Sequence, residues 1–208
     1  MSDPQAVRRV RISSLDRRRL LASIAATATL ALSGCGGGPP PVTFDLSAPR
    51  GAPRRLGGGG AAIVVQEPTA IAALDSERIV VRSASGELTY LPRAQWADRL
   101  PRLLQARLIQ TFENRGRAAV GRPTDRIAGV FQLLIDIRSF EAREASRDAF
   151  VEVAAKMIGA VSGNVSTARL FSATTPLTAI EGEGVTRALD QSLARVLLDI
   201  TSWAGTGG

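Results

Sequence analysis

The sequence predicts an α+β fold: a mixed, largely antiparallel sheet with two main helices packed on it. Three observations carry this expectation. Apolar residues alternate with polar ones over 130–140 and 148–158, the period of a strand. Over 96–112 and 183–203 they recur every three or four residues, the period of a helix. The segments run strands, helix, strands, helix, and not in strict alternation, which favours helices laid against a sheet over a parallel α/β arrangement.

Taken in order, Val42-Thr43-Phe44-Asp45-Leu46 alternates and reads as a first strand. Residues 47–60 are rich in glycine, proline and arginine, end in four glycines, and predict a mobile loop. No lysine-serine pair follows those glycines and a strand comes next, so a phosphate cradle is not indicated. Ala61 to Val65 is a buried strand ended by Pro68, and 79–82 and 88–91 flank Ser83-Ala84-Ser85-Gly86-Glu87 as a hairpin with glycine in its turn. Trp96, Leu100, Leu103, Leu104, Leu108 and Phe112 fall at helical spacing. Pro101 belongs in that helix's first turn, Trp96 on a short approach, and Gly116 at the stop. A short strand is expected over 117–120.

The clearest long strand follows, with Phe131, Leu133, Ile135 and Ile137 facing one way and Gln132, Asp136 and Arg138 the other. Asp136 is a candidate acid by residue type, but a carboxylate on the outer face of a strand more often meets solvent or a cation. Val151, Val153, Ala155 and Met157 alternate with Glu152 and Lys156, which share a face and solvate it. A further strand is expected over 165–172. The closing helix, 183–203, carries a stripe of Val185, Leu189, Leu193, Val196, Leu197, Ile200 and Trp203, wide enough to be core.

The amino-terminal segment has a different character. Six arginines (Arg8, Arg9, Arg11, Arg17, Arg18 and Arg19) precede an uncharged, apolar or small-residue run of 13 residues from Leu20 to Leu32, and Leu32-Ser33-Gly34-Cys35 closes it. A spanning helix needs roughly 20 apolar residues, so the run suits a signal peptide better than a transmembrane anchor. Arg17-Arg18-Arg19-Leu20-Leu21 is compatible with twin-arginine export and also with a basic leader of the general secretory route. The last four residues read as a lipobox: small residues precede a thiol, the nucleophile that takes a diacylglyceryl group. The expected organisation is a lipoprotein signal peptide at 1–34, lipidation at Cys35, a glycine-proline tether at 35–42, a single domain at 43–204 and a tail at 205–208. The tether reaches at most about 25–30 Å when extended. Gly36, in place of aspartate, favours the outer membrane, facing the periplasm.

Composition narrows function further. Without the leader, the chain keeps 20 basic and 17 acidic residues, so the high isoelectric point mostly reports the leader and nucleic acid is not an expected partner. The chain has one cysteine and no histidine. Ser-His-Asp and Cys-His chemistry are thereby excluded, and the carboxylates left for metal binding are spread singly. No catalytic, metal or cofactor residue is expected; the covalent lipid on Cys35 is the one attached group, and an enzyme is the least favoured reading.

Together these features resemble the ABC-type transport auxiliary lipoproteins. The lipobox is followed by Phe44-Asp45-Leu46 (the family often has tyrosine first) and by an apolar strand from Ile63 to Pro68. Then come Arg78-Ile79-Val80-Val81-Arg82, Glu87-Leu88-Thr89-Tyr90 and Trp96-Ala97-Asp98-Arg99-Leu100-Pro101, with Ala168-Arg169-Leu170-Phe171 and the closing helix with Trp203 late in the chain. The resemblance implies a non-catalytic component of an ABC transporter, partnered by a mammalian-cell-entry (MCE) domain protein and an ABC permease complex, serving lipid or hydrophobic solute transport. A structural envelope lipoprotein without a transport role is the alternative. Whether the chain forms a homo-oligomer is left open, and the expected docking region is either a sheet edge or the loops around the hairpin at 83–87.

Overall fold

The structure, a computed structural model, describes residues 39–50 and 61–206. Cys35, the leader and the four-glycine run lie outside the described residues. Nine strands and two helices follow: β1 (Val42–Phe44), β2 (Ile63–Val65), β3 (Thr69–Ala70), β4 (Arg78–Arg82), β5 (Leu88–Trp96), α1 (Leu100–Asn114), β6 (Val120–Gly121), β7 (Phe131–Arg143), β8 (Asp148–Gly159), β9 (Val165–Pro176) and α2 (Gly182–Thr206). The α+β expectation holds.

The sheet is organised around β7. Along one edge it pairs antiparallel with β8 over nearly its whole length, and β8 continues antiparallel to β9. Along its other edge three short parallel partners follow one another: β2 from Phe131, β3 from Asp136 and β4 from Glu141. The antiparallel ladders are the long ones, while all five parallel pairings span only two or three residues. A bulge between Ile137 and Ser139 shifts the phase of β7, so Leu133, Ile135 and Ile137 face the helices before it and Phe140 and Ala142 after it.

Those residues, with Val151, Val153, Ala155 and Met157 of β8, form one wall of the core. The helices supply the other: Leu104, Leu108 and Phe112 from α1, and Val185, Leu189, Leu193, Val196, Leu197 and Ile200 from α2, all buried. The predicted stripe of the closing helix is therefore core. Where hydroxyls enter this layer they are satisfied: Ser192 and Thr175 share a hydrogen bond of 2.8 Å, and Ser192 also donates to the carbonyl of Ala149 at 3.2 Å. Gly116, at φ +89°, turns the chain off α1 and returns its N–H to the Glu113 carbonyl at 2.8 Å.

Several boundaries differ from expectation for identifiable reasons. Trp96 ends β5, and Pro92 does not terminate that strand. The register moves from Val80 opposite Tyr90 to Arg78 opposite Gln95, leaving a bulge that accommodates Pro92 and places Arg93 at φ 55°. The short strand expected over 117–120 forms at Val120–Gly121 because Arg117 still donates to the Phe112 carbonyl as part of the helix end. Strand β9 runs to Pro176, beyond the expected 172. The start of the 47–60 loop is held in place: Ser47 donates from both N–H and Oγ to the Asp190 carboxylate at 2.7 Å, and Asn114 donates to the Pro49 carbonyl.

Candidate docking surfaces

Two surfaces stand out. The first gathers three loops at one end of the sheet. The 83–87 turn is closed by Ser83 N–H to the Glu87 carbonyl (2.9 Å) and Gly86 N–H to the Ser83 carbonyl (3.0 Å), with Gly86 at φ +92°. This is the turn read from the sequence. Its neighbour is the β7–β8 turn: Glu144 donates its N–H to the Arg82 carbonyl at 2.9 Å and accepts from Ala84 N–H at 3.3 Å. Leu177 N–H in turn bonds the Arg147 carbonyl, and Arg147 Nη2 the Thr178 carbonyl, each at 2.8 Å, bringing in the segment that leads to α2.

Two forked ion pairs hold this end. Arg82 reaches Glu141 with Nε at 2.7 Å and Nη2 at 2.8 Å; the carboxylate is buried while the arginine is partly open. Arg143 binds Asp148 through Nε and Nη2, both at 2.7 Å, and lies over the Phe150 ring at 4.1 Å. The hydrogen bonds from Arg143 hold the Asp148 carboxyl below the ordinary carboxylate range; burial opposes this and Ser146 adds to it. The same bonds raise Arg143, and those to Glu141 raise Arg82. Planar forks of this kind fix geometry, so the loops form a preset surface.

The sign of the Asp148 effect follows from its depressed pKa. Its contribution is fully present above the unfolded value of about 3.9 and disappears as pH falls through the lower folded value. Asp148→Asn is expected to lower stability by about 1–2 kcal/mol at neutral pH. Denaturant melts across pH should show that gap closing below about pH 4; a gap independent of pH would contradict the ion pair.

The second surface is an open groove of about 530 Å³ on the sheet face away from the helices. Leu134 and Ala154 floor it, and Gln66, Glu67, Thr69, Gln132, Asp136, Arg138 and Lys156 line its sides. Asp136 is exposed, accepts from Thr69 Oγ1 at 3.0 Å and lies 3.8 Å from Arg138, so it is solvated and paired. Glu67 is paired with Arg99 at 3.4 Å. Among the described residues, no three carboxylate, histidine or cysteine side chains converge on a possible metal position. No helix among them is long and apolar enough to cross a membrane. The turn at 83–87 was visible in the sequence, but the Arg82–Glu141 pair and the groove were not, since their members are separated by dozens of residues, and the nearer Arg143–Asp148 pair depends on the β7–β8 turn that brings its ends together.

The long β7–β8–β9 meander, backed by two helices and approached by a short first strand, defines the class: the profile of the ABC-type transport auxiliary lipoprotein component family matches residues 44–201. The chain belongs to this family. The family is one of auxiliary lipoprotein components of ABC-type transport. The solved structure of protein XCC0632 from Xanthomonas campestris is similar at a TM-score of 0.72 and 26% identity, covering 80% of this chain and 96% of that one. A second solved structure, of an uncharacterized protein, shares the fold at a TM-score of 0.62 and 14% identity, over 80% of this chain and 99% of its own. An uncharacterized protein of Bradyrhizobium diazoefficiens, bll6063, is 32% identical over 172 residues; these make up 81% of this chain and 46% of that protein. The chain thus spans about half the length of this curated relative.

Proposed function

We propose that this protein is a non-catalytic adaptor, anchored through a diacylglyceryl and acyl group on Cys35, that docks an MCE-domain protein and its ABC permease complex. The cargo is lipid or another hydrophobic solute crossing the periplasm, and the anchor sits in the outer membrane. The family match over residues 44–201 carries this reading. The lipobox at 32–35, Gly36 after the cysteine and the short tether at 35–42 support the anchor and its placement. The domain at 43–204 does the docking. The loop end at 83–87 and 144–147 is the proposed contact, because its forked ion pairs present a surface needing little reordering on binding. The protein needs no cofactor beyond its covalent lipid.

In-cell crosslinking of the lipidated protein, followed by purification and mass spectrometry, tests the proposal. An MCE-domain protein or ABC permease should be recovered, and lost when the domain is removed but the tether kept. Recovery of abundant envelope proteins alone, or of material linked to peptidoglycan, would overturn the adaptor reading and favour a structural lipoprotein.

A further inference from the structure

Among the described residues, strand β9 forms an edge of the sheet and β8 is its one strand partner. The Leu177 N–H bond to the Arg147 carbonyl sets the phase of that ladder. Antiparallel pairs alternate between bonded and non-bonded, so the odd-numbered residues of β9 bond to β8 and the even-numbered ones direct N–H and C=O off the free edge. Thr174 agrees with this phase, its carbonyl accepting from Arg195 Nη1 of α2 at 2.7 Å. Ala168, Leu170 and Ser172 have no such cap among the described residues.

Edges of this kind are normally protected by charge, proline, bulges or shortness. Between Ala168 and Ser172 the one charge is Arg169, and it lies over the Phe171 ring at 5.3 Å on the helix side. The exposed face carries Leu170, 48% accessible. The stretch is an open template for another strand.

We infer that this edge pairs with the β9 edge of a second copy, antiparallel, about a two-fold axis at Leu170. Three features of the strand select that partner and register. Centring on Leu170 engages all three open residues, Ala168 against Ser172 and Leu170 against its equivalent, and leaves the Thr174 cap undisturbed. It sets Arg169 of each copy opposite Phe171 of the other and never places two arginines in opposition. A centre at Arg169 would set the two arginines directly opposite each other in a non-hydrogen-bonded pair, where side chains are closest. The interface is isologous and closed, giving a dimer with the two sheets continuous.

The test uses the full chain in detergent with Cys35→Ser, which leaves an introduced thiol alone, since the chain has one native cysteine. With Leu170→Cys, a short bismaleimide should give a covalent homodimer on a denaturing gel. Val161→Cys, fully exposed in the β8–β9 turn, should stay monomeric. Ser172→Pro removes an N–H that points off the edge and so spares the β8 ladder; added to Leu170→Cys, it should cut dimer yield by about tenfold, the loss of the hydrogen bonds of one strand pair. Monomer alone from Leu170→Cys, equal yield from Val161→Cys, a dimer indifferent to Ser172→Pro, or adducts only with a different protein would each overturn the inference.

Discussion

Trp96→Ala is expected to lower folding stability by about 3–5 kcal/mol, the range for deleting a large aromatic from a packed core. Trp96 is 1% accessible and sits where β5 ends and the chain turns into α1. Its ring meets Phe140 edge-on, with centroids 5.8 Å apart and planes at 82°, so it fastens the β4–β5 hairpin to the central strand. The backbone N–H of Trp96 donates to the Glu77 carbonyl at 2.7 Å, and that of Ala97 to the Phe44 carbonyl at 2.8 Å. A cavity here therefore loosens the β1–β5 pairing as well as the core. The loss is large against a typical total of about 5–15 kcal/mol. Urea melts should show a lower midpoint with an unchanged slope, and Trp96→Phe should lose less because an aromatic ring remains against Phe140. A midpoint shift for Trp96→Ala equivalent to under about 1 kcal/mol would contradict the burial.

Cys35→Ser is expected to abolish lipid attachment altogether. A hydroxyl at neutral pH is a far weaker nucleophile than a thiol, so the diacylglyceryl transfer fails at its first step. On the proposed anchor, each methylene buried by the acyl chains would contribute about 0.8 kcal/mol, and several chains together would make release negligible on any cellular timescale. Labelling cells with radioactive palmitate should mark the wild-type protein and leave the Cys35→Ser variant at background, with the 1–34 leader retained on the variant. Persistent labelling of Cys35→Ser would sink the lipobox reading.

What the sequence showed depended on how local each signal was. Val151, Val153, Ala155 and Met157 could be read as one face because a strand buried against helices alternates at period two, and that period needs no knowledge of its neighbours. The 83–87 turn was legible for the same reason: Gly86 marks a positive φ between two β-rich runs. Thr69–Ala70 was not legible, since two residues carry no period and their pairing depends on Asp136 and Ile137, far along the chain. Pro92 misled, because a proline reads as a strand end and only a bulge lets the strand continue. At the loop end, Arg82 and Glu141 are 59 residues apart, and nothing near either residue announces the other.

The sharing of one long strand by three short ones also orders events in time. Ile63 has no mate in β7 until Phe131 exists, and Thr69 must wait for Asp136 and Val80 for Glu141. Closing loops of that span is entropically slow compared with the local turns that join residues 131–176 into a meander. A chain emerging amino end first therefore presents its earliest strands to the surroundings before the scaffold that will hold them has been delivered. Strands β2 and β3 are thus among the first out and the last locked, because the strand that holds them is made about 65 residues later.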